Sequence, residues 1–336
     1  MILSGCADKS TIVKAEIDID DFQKVFHSIV EKVSPSVVAI NTLSENRDVG
    51  FGTGVIIDKS GLILTSEHVI SGADKISVLF LNQKIYSAEV VSADQTSDLA
   101  VIKVIKAVDL KPIEFGDSDK LQVGDIVLAM GNAFGHSSHD GKPTVTQGIV
   151  SALNRLATTM LTSRRYWNAI QHDASVNPGN SGGPLIDIHG KMIGLNGVIN
   201  SKSGNNAGVS FAVPVNIIKK FLPKLKRGEK IEHPFIGLQD LSNVLSQINN
   251  NEIRGVQIGF VSTNTPAYDG GLQSSDIIIK IDDKLIQNTV DLYNWLYNKD
   301  PNDLVKFEVI RIDTKKSTAK IITVEFKLGT LPTEEK

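Results

Sequence analysis

Between Val37 and Pro214 the chain is a succession of short β-branched runs cut by glycine: VVAINTL, GTGVIID, GLILTS, KISVLFL, AEVVSAD, LAVIKV, DIVLAMG, GIVSAL, GKMIGLNGVI and GVSFAV. Runs of this length with turn formers between them read as strands. No helical stretch separates them, so the pattern predicts antiparallel barrels or a sandwich rather than alternating strands and helices. The stretch is framed by two amphipathic segments. Upstream, Asp20-Asp21 cap a predicted helix in which Phe22, Val25, Phe26, Ile29, Val30 and Val33 recur at helical spacing until Ser34-Pro35. Downstream, VNIIKKFLPKLKRG places Val215, Ile217, Ile218, Phe221, Leu222 and Leu225 on one helical face, with a kink or break expected near Pro223.

Gly228 to Pro234 reads as a linker, and a second unit of about one hundred residues follows, a usual domain size. Its runs GVQIGFV, DIIIKIDDKLI, LVKFEVIRI and KIITVEFKL alternate with a helical VDLYNWLYN, which suits a small α+β or partly open barrel module. The expected division is a disordered N-terminus over 1–19, a first domain over 20–228, a second over 229–330 and a disordered tail over 331–336.

Composition narrows the function classes. With 41% hydrophobic and 22% charged residues, the 336-residue chain is long enough for two cores. A net charge of −3 supplies no basic field for nucleic acid, and no apolar run approaches the roughly 18 residues that span a bilayer. The single cysteine, Cys6, cannot form an internal disulfide or a cysteine-based zinc site. It ends Leu3-Ser4-Gly5-Cys6, which resembles the lipobox of bacterial lipoproteins, but only Ile2 and Leu3 stand where a secretory leader needs about 7 to 15 apolar residues. Two readings stay open: a lipid anchor through Cys6 on a chain whose start lies further upstream, or a chance match.

The chemistry centres on Asn177-Pro178-Gly179-Asn180-Ser181-Gly182-Gly183-Pro184. Gly179 to Gly183 also satisfies the G-x-S-x-G elbow of α/β-hydrolases. That elbow needs a strand before the serine, a helix after it, and an acid and histidine downstream. Here helix-poor residues flank Ser181, and only His189 and His233 follow it. A plain turn and a different serine-enzyme loop therefore compete. A serine hydroxyl is a weak nucleophile without a base and a group that orients that base. Among the seven histidines His68 stands apart, because it follows the apolar GLILTS where the chain leaves the sheet. Asp98 opens SDLAVIKV, a polar position before a buried run, as an acid holding an imidazole requires. The order His68, Asp98, Ser181 is that of chymotrypsin-type proteases, built on a double β-barrel. The pair His136 and His139, with Asp140, reads as solvated loop, since a structural zinc takes four ligands, so no metal or other cofactor is expected.

TSEHVI, SDLAVIKV and DASVNPGNSGGPL resemble the three signature segments of the HtrA/Deg family of serine proteases, and MGNAFG, TVTQGIVSAL and GVSFAVP are also similar to it. The likeness covers nearly the whole chain. It departs at Ser66, where the family usually has Asn, at His172, where Thr is common, and at Ser274-Ser275, where Gly-Asp is common. The resemblance implies a mainly β chain, a chymotrypsin-like double β-barrel followed by a small α+β PDZ domain. It also implies an ATP-independent serine endopeptidase that degrades unfolded or misfolded proteins in envelope quality control, regulated by peptides on the PDZ domain. The alternative is a chaperone or a stress-sensing protease of restricted substrates. His68, Asp98 and Ser181 would be catalytic, and Gly179, Asn180 and Ser181 would form the oxyanion hole.

The position six before the serine, an acid in pockets that take Lys or Arg, is Ser175. The substrate pocket, with Ser175, Leu195 to Val198 (including Asn196 and Gly197) and Val209, Ser210 and Phe211, is thus expected to take small or medium apolar side chains. Phe235, Ile236, Gly237 and Leu238 would bind exposed C-terminal peptides, an extended strand with its carboxylate on backbone N–H groups. Implied partners are unfolded polypeptides, C-terminal peptides and further copies of the chain as a homotrimer or larger, with Phe22 and Phe26 packing between subunits. The implied location is the periplasm or cell envelope.

Overall fold

The computed structural model describes residues 19–44, 47–105, 109–136, 140–158, 165–199, 208–248, 251–313 and 318–332. The lipobox-like segment with Cys6, His139, and residues 159–164 and 333–336 lie outside the described residues. Helix α1 (Ile19–Val33) starts one residue earlier than its caps suggested. It buries Ile29 and Val33, with Phe26 leaning on the same core. A 3-10 turn at Ser34–Ser36 ends it, because Pro35 has no N–H to continue the ladder.

Strands β1 (Val37–Ser44), β2 (Arg47–Ile56), β3 (Leu62–Thr65), β4 (Lys75–Leu79), β5 (Ile85–Asp94) and β6 (Leu99–Val104) close into a barrel in the order β1-β2-β3-β6-β5-β4. A single helical turn, α2 (Glu67–Ile70), follows β3. Strands β7 (Ile126–Gly131), β8 (Thr144–Thr158), β9 (Arg165–His172), β10 (Pro184–Ile186), β11 (Met192–Ile199) and β12 (Ser210–Pro214) close a second, in the order β7-β8-β9-β12-β11-β10. Closure leaves no free edge.

The strand runs lack polar alternation because both faces of many strands are covered. In β6, Ala100, Ile102 and Val104 fill the first barrel, while Leu99 and Val101 join a core between the barrels. That shared core also takes Val55 and Leu64 from the first barrel and Met130, Ala169, Leu195 and Phe211 from the second. Helix α3 (Val215–Lys226) seals it, packing on β5 and β6 of one barrel and on β11 and β12 of the other. The expected break at Pro223 does not occur. Pro223 and Lys219, whose carbonyl the proline ring leaves without an N–H, are both exposed.

The C-terminal unit has strands β13 (Pro234–Phe235), β14 (Leu238–Gln239), β15 (Ser242–Ile248), β16 (Asn251–Gln257), β17 (Phe260–Val261), β18 (Ile277–Ile281), β19 (Lys284–Leu285), β20 (Leu304–Asp313), β21 (Thr318–Lys327) and β22 (Gly329–Thr330). Helices α4 (Pro266–Asp269) and α5 (Thr289–Tyr297) pack with them, and the sheet order is β15-β16-β18-β20-β21. The core is Ile236, Ile258, Ile278, Leu292, Trp295, Phe307 and Phe326, with Trp295 edge-on to Phe307 at 5.7 Å. The linker expected over 228–234 is docked: Ile231 and His233 are buried. Leu331, expected in the tail, donates its N–H to the His233 carbonyl, extending the β13–β22 pairing.

Candidate active site

His68 is carried out of the first barrel by α2, whose N-cap is Ser66 at the end of β3. Asp98 sits in the tight turn joining β5 and β6, at φ +54°, a left-handed conformation that Asp tolerates better than most residues. The turn aims its carboxylate back at α2. Oδ1 accepts the His68 backbone N–H at 3.0 Å, and the imidazole Nδ1 lies 3.0 Å from Oδ1 and 2.8 Å from Oδ2. The acid side chain is 3% exposed and the imidazole 30%. A buried carboxylate on Nδ1 keeps the proton there and leaves Nε2 with its lone pair toward the cleft.

Ser181 belongs to the second barrel, in the turn between β9 and β10. Thr53 of β2, fully buried, pins that turn to the first barrel. Its Oγ1 donates to the Gly179 carbonyl (2.7 Å) and accepts from Asn132 N–H (2.8 Å), and its N–H donates to the Ser181 carbonyl (2.9 Å). Phe134 N–H holds the Pro178 carbonyl at 2.6 Å, and Asn180 N–H closes a turn on Asn177. With these carbonyls engaged by neighbouring donors, the Gly179 and Ser181 N–H groups have no intramolecular acceptor among the described residues. Gly179 and Gly182 are at φ +99° and +82°, and a Cβ on either would collide with a backbone carbonyl, Asn132 or Thr53 respectively. Among the described residues Ser181 Oγ donates to the Gly197 carbonyl at 3.2 Å rather than to His68. Leu43, Phe51, His68, Val69, Pro178, Gly179 and Ser181 line a cleft of about 850 Å³.

The expected substrate-pocket residues divide. Ser175 and Val209 are half-buried near the serine turn. Leu195 and Phe211 point into the core between the barrels. Asn196 and Ser210 are fully buried, Asn196 Nδ2 donating to Pro184 O (3.1 Å) and Ser210 Oγ to Ala174 O (3.3 Å). The Gly197 backbone faces the Tyr166 ring, and the Val198 side chain is outside the described residues. Asp173 is turned away, accepting Ile149 N–H at 2.7 Å. His172 is fully buried with no hydrogen-bond partner for either ring nitrogen among the described residues, and burial pushes its imidazole down to about 4, against the pull of the neighbouring Asn196 and the charge of Asp173. Among the described residues no group of three His, Cys, Asp or Glu side chains could hold a metal.

In the C-terminal unit Gly237 is at φ +93°, with Ile236 buried below it and Leu238 opening β14. Phe235, Ile236, Gly237 and Leu238 line a groove of about 260 Å³ together with Leu292, Tyr293 and Leu296 of α5. Trp167 of β9 also reaches this groove.

The trypsin-like peptidase domain family matches residues 52–195, and the PDZ domain family matches residues 234–323. The chloroplastic Protease Do-like 1 of Arabidopsis thaliana is 34% identical over 321 residues, covering 89% of this chain and 71% of that protein. The chain belongs to the HtrA/Deg family. Other relatives of this HtrA/Deg chain are longer: it is 34% identical to a probable periplasmic serine endoprotease DegP-like of Rickettsia prowazekii over 85% of its own length and spans 63% of that protein. Among solved structures, the HtrA-type protease AlgW with tripeptide superposes with a TM-score of 0.76 at 30% identity, covering 92% of this chain and 98% of the other.

Three residues of the HtrA/Deg site escaped sequence reasoning. Thr53 and Tyr166 contribute hydroxyls across the barrel boundary, Tyr166 Oη donating to Asp98 Oδ2 at 2.6 Å. His233, which looked like part of a linker, places Nε2 2.9 Å from Asp94 Oδ2, on the turn that carries Asp98. No local pattern marks any of them.

Proposed function

We propose that the chain is a serine endopeptidase in which His68, Asp98 and Ser181 act as a triad. The observation that carries this reading is the buried Asp98 carboxylate on His68 Nδ1, in a cleft that Gly179 and Ser181 also line. In the reaction, Ser181 Oγ leaves Gly197 O, gives its proton to His68 Nε2 and attacks a peptide carbonyl. His68 then returns the proton to the leaving amine, while Asp98 stabilises the imidazolium. The N–H groups of Gly179 and Ser181 take the oxyanion, with Asn180 tying the turn; losing one such donor costs about a hundredfold or more. The absence of an acid at Ser175, with Asp173 tied to Ile149, supports cleavage after small or medium apolar residues.

The natural substrates are unfolded polypeptides of the periplasm or cell envelope, degraded without ATP, and the groove at Ile236 to Leu238 binds extended C-terminal peptides by strand addition. The DegP-like names of the relatives support this setting. A stress-sensing protease with restricted substrates is the second reading, favoured by the Ser181 hydroxyl resting on Gly197 O instead of His68. Labelling with a fluorophosphonate and digestion of unfolded casein, with Ser181→Ala as control, tests both. Labelling and casein loss in the wild type alone supports the first reading. Activity that appears only after a C-terminal peptide is added supports the second, and no labelling under either condition removes the proteolytic assignment.

A further inference from the structure

Three successive residues of β9 make three different contacts. Tyr166, 6% exposed, reaches from the second barrel to the carboxylate of the first, its hydroxyl 2.6 Å from Asp98 Oδ2. Its ring also lies against Gly197, whose carbonyl holds Ser181 Oγ. Trp167 stacks on Tyr293 of α5, ring centres 4.1 Å apart and planes 24° apart. Asn168 N–H donates to Asn294 Oδ1 at 2.9 Å, and Asn294 Nδ2 returns to the Asn154 carbonyl of β8 at 3.1 Å. Because side chains alternate along a strand, Tyr166 and Trp167 point to opposite sides of β9, one to the acid and one to the PDZ helix.

We propose that Tyr166 is a positioning residue for Asp98, and that docking of α5 on Trp167 and Asn168 holds it there. Asp98 must present one fixed face to His68 Nδ1. Oδ1 is fixed by the His68 N–H, and the Tyr166 hydroxyl fixes Oδ2 with a charge-assisted bond inside a buried site. Without it Oδ2 loses the hydroxyl that shares it with His68 Nδ1, and more of the carboxylate's charge falls on the imidazole. Trp167 lines the PDZ groove together with Tyr293, so an occupant of the groove meets the residue next to Tyr166. The inference deepens the peptide-regulated reading above and rests on it.

The direct test needs no turnover. In full-length Ser181→Ala protein the His68 Nδ1–H proton is followed by NMR, alone and with Tyr166→Phe or Tyr293→Ala added. Both additions are expected to move that resonance. In the Ser181 protein, Tyr166→Phe is expected to lower kcat for a chromogenic peptide about tenfold, the worth of one charge-assisted hydrogen bond, at unchanged KM. Tyr293→Ala is expected to lower kcat alone but to add nothing in the Tyr166→Phe background. An unmoved His68 resonance in both variants, or kcat losses that multiply, would overturn the proposal. Should Tyr166→Phe fail to fold, the His68 resonance of the Tyr293→Ala protein decides alone. If the wild type neither labels nor cleaves, the proteolytic assignment fails while the NMR comparison still decides the placement of Asp98.

Discussion

At the residue scale, His172 makes the sharpest claim about pH. Its imidazole is held neutral by burial, near 4 against an ordinary value of 6.5. The unfolded chain therefore binds a proton between those values that the folded chain does not. Stability is complete above about pH 6.5 and falls as pH drops toward 4, by about 3 kcal/mol if the group is treated singly. Urea melts from pH 7 to 4 should show this slope, and His172→Gln should flatten it; an equal slope in both proteins would place the acid sensitivity elsewhere. The meeting of His68 with Asp98 was legible in the sequence, because a histidine, an acid and a glycine-framed serine stand there in the order that a serine-enzyme site requires. Thr53 and Tyr166 were not, because a hydroxyl that matters only for reaching a carbonyl or carboxylate 126 or 68 residues away looks like any other Thr or Tyr.

At the element scale, the serine turn between β9 and β10 has no room for a side chain at Gly179, Gly182 or Gly183. Gly182→Ala would require a left-handed Ala and drive its Cβ into the Thr53 carbonyl and the Thr65 hydroxyl. The expected result is a loss of fluorophosphonate labelling of a hundredfold or more with both barrels still folded, read by labelling rate beside far-UV circular dichroism. Labelling within a fewfold of wild type would show that the turn can relax. The strands themselves were readable from β-branched runs and glycines, which left barrels or a sandwich open; the double barrel followed only from the order His68, Asp98, Ser181 and the family resemblance. The path of α3 was not, because Pro223 reads locally as a break, whereas its effect depends on which side of the helix meets solvent.

At the scale of the whole molecule, the protease and PDZ units share a buried polar seam. Asp94 stays below the usual carboxylate range although burial opposes it, because His233 and Ser97 hydrogen-bond it and His233 adds charge. The His233 ring stacks on Tyr297 of α5, and Lys220 of α3 reaches Asp300 at 3.1 Å. Removing one partner of a buried pair typically costs about 3 kcal/mol. His233→Ala should thus lower the melting temperature and open residues 228–234 to limited proteolysis. Unchanged resistance at that segment would show that the seam does not depend on the pair. Sequence reasoning saw only a linker there, since the partner of His233 lies in the other unit.

The turn from Asp94 to Asp98 therefore serves both units, one carboxylate on the PDZ hinge and the other on the imidazole. A truncation after Arg227 would not release a smaller version of the same enzyme. It would leave Asp94 without its histidine, strip Tyr293 from Trp167, and hand Asp98 a looser turn. A chimera carrying a PDZ domain from a relative meets the same condition: it must bring its own hinge imidazole to position 233, or inherit a protease whose acid has lost its second anchor.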